Sequence, residues 1–459
     1  MHGLHVARKS VSAWLRVGSC LVFLLTATIA AEENSGVSGD DGIATSLSVR
    51  IDPGLVTLFE CHVTIDGTLI TPAAEGVRQW ELDSRADFRF LQRQLPSKLR
   101  GPVALQAIRK YSQASTITRV GRDHETKTTL PEANSLVYVR GTDDGLTVAA
   151  AAQPLSRGEF DLLQMPCDPL PCASLLPSRE VTVGEKWNTD AWVLPRLAGL
   201  EAATDHSLSC ELKSLEGDVA QIYFVGTARG AVLGSASAVE LVGTLKLDTN
   251  SRLVTELKCE MKEKRSAGPV SPGLNASVSI DWTQTVVDAR KIPSEIDESW
   301  FDHPLSLKTP WRLIFHHSKE WHIFNQTSQV IMLRQIRDGA LISQCNISAG
   351  VAMPPGQHTP DADFRSDVES AIRARGGQIV GEDTVRTDNE WRIRHVQASG
   401  NISDLEIVWD YYLCTAASGD QFSLLFSHSA NDTASFGDEP DRLLSSLSLS
   451  RRRPALPFR

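Results

Sequence analysis

The densest group of side chains able to hold a metal or move a proton is the run His316-His317-Ser318-Lys319-Glu320-Trp321-His322. Imidazoles and a carboxylate at this spacing suit a divalent transition metal. Successive side chains of a strand face opposite sides, so only one of His316 and His317 can share a site with His322. Lys319 adds repulsion, and a solvated strand end is the plainer expectation, with no metal assigned. His124 beside Asp123 and Glu125, and His206 beside Asp205 and Ser207, are neighbours in sequence only. A catalytic triad draws its members from separate elements. The paired acids Asp143-Asp144 and the run Glu295 to Glu298 read as solvated loops, whereas a glycosidase needs two carboxylates facing across a cleft. The sequence has no G-x-S-x-G, H-E-x-x-H, Walker or G-x-G-x-x-G pattern. No catalytic residue and no cofactor is therefore assigned.

Cysteine offers a second chemistry. Of eight cysteines, seven follow the N-terminal apolar run, and an odd number cannot all pair within one chain. Cys167 and Cys172 close the proline-stiffened segment Met165-Pro-Cys-Asp-Pro-Leu-Pro-Cys and are expected to form a small disulfide. Cys210 alternates with Leu208 and Leu212, and Cys259 with Leu257 and Met261, so both face an interior. They either bridge or remain separate buried thiols, since free cysteine is among the most buried residue types. No C-x-x-C pair of zinc-like spacing occurs.

The elements that must carry these residues change character along the chain. From residue 46 to about 290 the dominant apolar period is two, the signature of strands with one buried face. Val239, Leu241, Leu245 and Leu247 form one such run, Leu253, Leu257, Cys259 and Met261 the next, and Val278, Ile280, Trp282 and Val286 a third. Asp248-Thr249-Asn250-Ser251 joins the first two as a turn. Further strands are expected at 55–65, 104–120, 136–140, 206–213 and 218–225, with short helices near 156–164 and 192–199. Residues 291–302 read as a linker. Beyond it, over 303–450, strands at 390–399, 405–413 and 421–428 are accompanied by helices. Thr359, Pro360, Asp361 and Asp363 start a helix over 360–375 that puts Phe364, Val368, Ala371 and Ile372 on one face and stops at Gly376-Gly377. A last helix starts near Pro440. The fold class expected is α+β: an antiparallel, β-rich, half-barrel-like domain, then an antiparallel sheet packed with helices.

Residues 1–31 read as a signal peptide: Arg8, Lys9 and Arg16, then an apolar run from Val17 that ends in Ala27-Thr28-Ile29-Ala30-Ala31. The run is shorter than the roughly 20 residues of a bilayer span. Cleavage after Ala30 or Ala31 implies an exported protein, periplasmic or secreted, with no stable membrane span left. Residues 32–45 are small and acidic and read as a disordered lead-in. Losing three basic residues and no acid takes the net charge from −10 to −13, which argues against nucleic acid or anionic lipid as a general partner. The tail 451–459 is a local basic exception. Sequons stand at Asn275, Asn325, Asn346, Asn401 and Asn431.

Over 303–450 the chain resembles the PsbP/Mog1-like fold family. The residues that carry this are Trp321-His322-Ile323-Phe324 leading into Val330-Ile331-Met332-Leu333-Arg334, then Leu341 to Ile347, Asp410-Tyr411-Tyr412-Leu413 with its hairpin to Phe422-Phe426, and Phe436-Gly437-Asp438. The resemblance implies a binding or assembly module and transfers no catalytic residue. The first domain is similar, in architecture alone, to the half-barrel β folds of lipoprotein-carrier-like proteins. That likeness implies a concave apolar face for a lipid, another hydrophobic ligand or a protein segment. The expected function is thus a non-enzymatic binding or assembly module of the cell envelope. The competing reading is an envelope hydrolase, which needs a pocket of convergent acid and base groups.

Overall fold

The computed structural model describes residues 44–450, apart from 74–75, 289–291, 296, 303–304, 374 and 387–390. The expected signal peptide, the lead-in as far as residue 43 and the basic tail lie outside the described residues.

The first part of the chain alternates apolar and polar residues over unusually long stretches, and each stretch forms one strand. In chain order these are β1 (Thr45–Ser46), β2 (Val56–Pro72), β3 (Val77–Gln94), β4 (Gln106–Val120), β5 (His124–Thr129), β6 (Leu136–Thr142) and β7 (Gly145–Ala150). There follow β8 (Glu180–Val181), β9 (Lys186–Asn188), β10 (Ala202–Glu216), β11 (Val219–Val232), β12 (Ser235–Asp248), β13 (Leu253–Arg265) and β14 (Gly273–Val287). The short β1 pairs only with β8. The others form a single open sheet in the order β7-β6-β4-β3-β2-β14-β13-β12-β11-β10-β9, with β5 added beside β4. Every pairing is antiparallel, so β2 and β14, far apart in sequence, meet in the middle of the sheet.

One face of this sheet is buried, and the segment between β7 and β10 covers it. That segment carries three short helices, α1 (Arg157–Leu162), α2 (Pro169–Cys172) and α3 (Val193–Ala198). Phe160, Leu163, Leu170, Leu175, Val193 and Leu197 enter the same core as Phe59, Phe90, Phe224, Leu245 and Trp282 of the strands. Ser156 and Glu159 start α1 with a reciprocal capping box, which satisfies donors at its first turn. Two groups pin the segment to the sheet. Trp282 Nε1 donates to the Cys167 carbonyl at 3.0 Å. Arg109 of β4, 1% exposed, donates through Nη1 and Nη2 to Asp168 at 2.7 and 2.6 Å, and through Nε to Gln92 at 2.8 Å.

The second part has two sheets. β15 (Leu305–Lys308), β16 (Leu313–His317) and the late β24 (Ser448–Leu449) form one. The other contains β17 (Trp321–Gln326), β18 (Val330–Arg337), β19 (Ala340–Ala349), β20 (Gln378–Arg386), β21 (Arg392–Ile402), β22 (Leu405–Thr415) and β23 (Gln421–Ser429). Its order is β17-β18-β19-β23-β22-β21-β20. α4 (Asp361–Arg373) packs Phe364, Val368 and Ile372 on Val396, Ala398 and Trp409 of one face. α5 (Thr433–Phe436) and α6 (Glu439–Ser445) contribute Phe436, Leu443 and Leu444 to a second core with Phe315, Trp321 and Phe426.

These observations correct the expected α+β class. Strands take up 57% of the structure and helices 14%, so the protein is mainly β. The helices expected against the second sheet exist, but α5 and α6 span four and seven residues. Gly437, at φ 59°, ends α5, and Ser446 closes α6. Only α4, at 13 residues, runs for several turns.

The two parts join at one seam. Leu155 makes an isolated parallel bridge with Leu305, and Ser306 N donates to the Leu155 carbonyl at 2.8 Å. Leu305 belongs to the core of the first sheet.

Candidate functional site

Near this seam the first core does not close. A cavity of about 640 Å³ lies between the covered face of the large sheet, helices α1 and α3, and the β17–β18 end of the second sheet. That size lies within the few hundred to one thousand Å³ usual for small-molecule sites. Its apolar wall is shared among elements: Ile65 of β2, Met261 of β13, Val278 of β14, Leu163 after α1, and Ile323 and Ile336 from the second sheet. Ile65, Met261 and Val278 are inward members of the period-two pattern, whereas Ile336 reaches the cavity through a register shift that follows Gln335.

The polar wall is uneven. Lys319 Nζ lies 2.7 Å from Asp144 Oδ1. Burial alone raises a carboxyl pKa, yet the Lys319 charge and hydrogen bond outweigh it and hold Asp144 below its usual range. Arg157 is tied down as well, with Nε 2.8 Å from Asp161 and Nη1 donating to the Lys319 carbonyl at 2.6 Å. Arg196 of α3 differs. Its Nη1 donates to the Leu200 carbonyl at 3.0 Å, while its buried Nε has no partner among the described residues. Burial lowers its pKa, although Asp144 and Asp143 act in the opposite sense. Glu201 accepts from Leu233 N at 3.0 Å through Oε1, and its buried Oε2 is unpartnered among the described residues. Burial pushes the Glu201 carboxyl up. A guanidinium and a carboxyl, both half-satisfied, therefore line a space whose apolar wall is interleaved with other charged side chains, among them Glu263, Arg265, Glu320 and Arg337, and unsatisfied buried polar groups of this kind favour a polar ligand atom.

The histidines are not at a solvated strand end. His317 and His322 are 6% and 8% exposed. His317 Nδ1 lies 2.8 Å from the Ser318 carbonyl. Burial lowers the pKa of His317 to about 4 and that of His322 to about 3, with nearby Arg157 reinforcing both. His322 lines the cavity as a neutral ring. His316 stands on the same strand as His317, its backbone N accepting no proton but donating to Ser446 Oγ at 2.8 Å. Among the described residues no three His, Cys, Asp or Glu groups are arranged to hold a metal.

The expected Cys167–Cys172 disulfide is not formed. All seven cysteines of the described residues are buried free thiols. Cys172 Sγ donates to the Cys167 carbonyl at 3.3 Å instead of bonding its sulfur. Cys210 and Cys259 face the same interior in one row across the sheet, through Phe224 and Gly243. Three interstrand steps of about 4.8 Å put them roughly 14 Å apart, and a disulfide needs Cα atoms within about 7 Å. Burial raises the pKa of Cys210 to about 12, so it serves as a small apolar side chain.

Sequence reasoning missed Arg157, Arg196 and Glu201, and it counted Lys319 only as repulsion. Nothing in the spacing of these residues marks them, because three separate segments bring them together.

No protein-family model matches the sequence, and no curated protein is similar to it. Among solved structures, lipovitellin aligns with 54% of this chain at 10% identity and a TM-score of 0.29, and the chain spans only 26% of lipovitellin's length. Pseudomonas aeruginosa OccK11 aligns over 82% of this chain and 94% of its own, at 7% identity and a TM-score of 0.14. A BenF-like porin from Pseudomonas fluorescens Pf-5 covers 82% and 98%, at 8% identity and a TM-score of 0.12. Likenesses this slight carry no argument about the fold or the ligand of this chain.

Proposed function

We propose that this is an exported, non-enzymatic binding protein of the cell envelope whose cavity holds one amphipathic molecule, an acyl chain with an anionic head. The observation that carries the reading is the pairing of an apolar wall from both sheets with Arg196, a half-buried guanidinium without a carboxylate partner among the described residues. Burying hydrocarbon in such a space contributes about 0.8 kcal/mol per methylene. A carboxylate or phosphate oxygen beside Arg196 would complete its hydrogen bonding. The second sheet, which we read as PsbP/Mog1-like, acts in this scheme as the docking module that closes the cavity. The hydrolase reading fares worse: His322 is the imidazole at the cavity, and a base with a pKa near 3 has little tendency to take a proton at neutral pH.

The test is displacement of a fluorescent fatty-acid analogue by oleate. One site per chain with a Kd of about 1 μM or tighter is expected. Ala198→Trp, which places an indole in the cavity, should abolish binding, and Arg196→Gln should weaken it about tenfold. Unchanged binding in Ala198→Trp would remove the proposal.

A further inference from the structure

A second space, sharing no lining residue with the first, opens on the second sheet. It is a cleft of about 590 Å³ between β20–β23 and the α5–α6 pair. His395 lies flat on Tyr412 in it, ring centroids 4.4 Å apart and planes 7° from parallel. Its Nδ1 is 2.7 Å from Asp383 Oδ1 and its Nε2 2.9 Å from Asp410 Oδ1. A neutral imidazole has one N–H, so two carboxylate acceptors hold the ring as an imidazolium.

Asp410 is 5% exposed, and Gln397 Nε2 donates to the same Oδ1 at 2.9 Å. Its Oδ2 is left with no hydrogen-bond partner among the described residues. His428 lines the cleft, is also 5% exposed, and carries a buried Nδ1 without a partner among them. Burial lowers its pKa, which keeps the ring neutral and one nitrogen an acceptor. Asp441 enters from α6 on the opposite side. Asp383, Asp410 and Asp441 together outweigh the single imidazolium, so the cleft is short of positive charge and of hydrogen-bond donors. Ile393, Val408, Phe436 and Leu444 supply an apolar wall beside them.

We propose that this cleft binds a small organic cation, a primary ammonium on a short hydrocarbon stem, with Asp410 Oδ2 and His428 Nδ1 accepting its N–H groups. A metal ion fits less well, since no three suitable ligands converge among the described residues. An ammonium matches both deficits at once, and its stem meets the apolar wall.

Isothermal titration of the full chain with n-butylammonium chloride tests this, with sodium butyrate as the like-sized anion. The expected result is a Kd below about 1 mM for the ammonium and no binding of butyrate. Asp410→Asn should weaken the ammonium at least about tenfold. Asp441 is exposed on a helix, so Asp441→Asn leaves folding intact and should weaken it about threefold. Oleate binding should be unchanged in both variants. Absence of heat with butylammonium, equal binding of butyrate, or undiminished affinity in Asp441→Asn would overturn the proposal.

Discussion

At the scale of single residues, the account rests on how burial treats charge. Arg109 and Asp168 form a bidentate pair that is 1% and 3% exposed at the side chains. Burial opposes the charge on Arg109, and Asp168 more than compensates, holding its pKa above the ordinary value. Breaking such a pair leaves one buried charge, which costs about 3–5 kcal/mol. Arg109→Leu should therefore lower the urea midpoint severely, and Arg109→Leu with Asp168→Leu should recover part of the loss. Equal destabilisation by the single and double variants would show that the pair is not what matters. His317 and His322 give a pH signature. Their folded pKa values of about 4 and 3 lie below the ordinary 6.5, so the unfolded chain takes up protons first. Their contribution is complete above pH 6.5 and is lost as the pH falls towards those folded values, by on the order of 2 kcal/mol each between pH 6.5 and 4.5. His395 acts oppositely. Burial lowers its pKa, but Asp410 and Asp383 raise it overall, so its stabilisation is present below pH 6.5 and is lost as the pH rises through its folded pKa. Urea midpoints of His322→Gln across pH 4.5 to 7 should show a shallower acid slope than the parent. An unchanged slope would count against a neutral buried ring.

At the scale of elements, close packing between strands sets what can be changed. At Gly243 in β12 an added Cβ would stand 2.4 Å from Phe224 Cζ and 2.5 Å from the Lys258 carbonyl. Gly243→Ala should cost about 1–3 kcal/mol through this overpacking, read as a loss of thermal midpoint. Gly381 in β20, with no atom near its Cβ, is the contrasting position. Much of this layer was legible: the alternation around Leu241, Leu257 and Val278 marks β12, β13 and β14, and Pro360 with Asp361 marks α4. β3 was overlooked although Trp80, Leu82, Ala86, Phe88 and Phe90 alternate, because charged residues fill every other place and Ser84 interrupts the apolar series. The order of strands was not legible, since β2 meets β14 across some two hundred residues. The charged lining of the cavity was hidden for the same reason. Asp144 reads as a loop acid until Lys319, from the turn between β16 and β17, lies against it.

At the scale of the whole molecule, the central claim is that two sheets enclose one amphiphile site at their seam. Of the five methionines, Met165 and Met261 line that cavity, while Met332 and Met353 do not. Methyl-labelled methionine therefore reports directly on where a ligand sits. Titrating oleate into the protein, the account predicts that the Met165 and Met261 methyl resonances shift together and saturate at one equivalent, with Met332 and Met353 unmoved. Saturable binding that leaves Met165 and Met261 unmoved would contradict it.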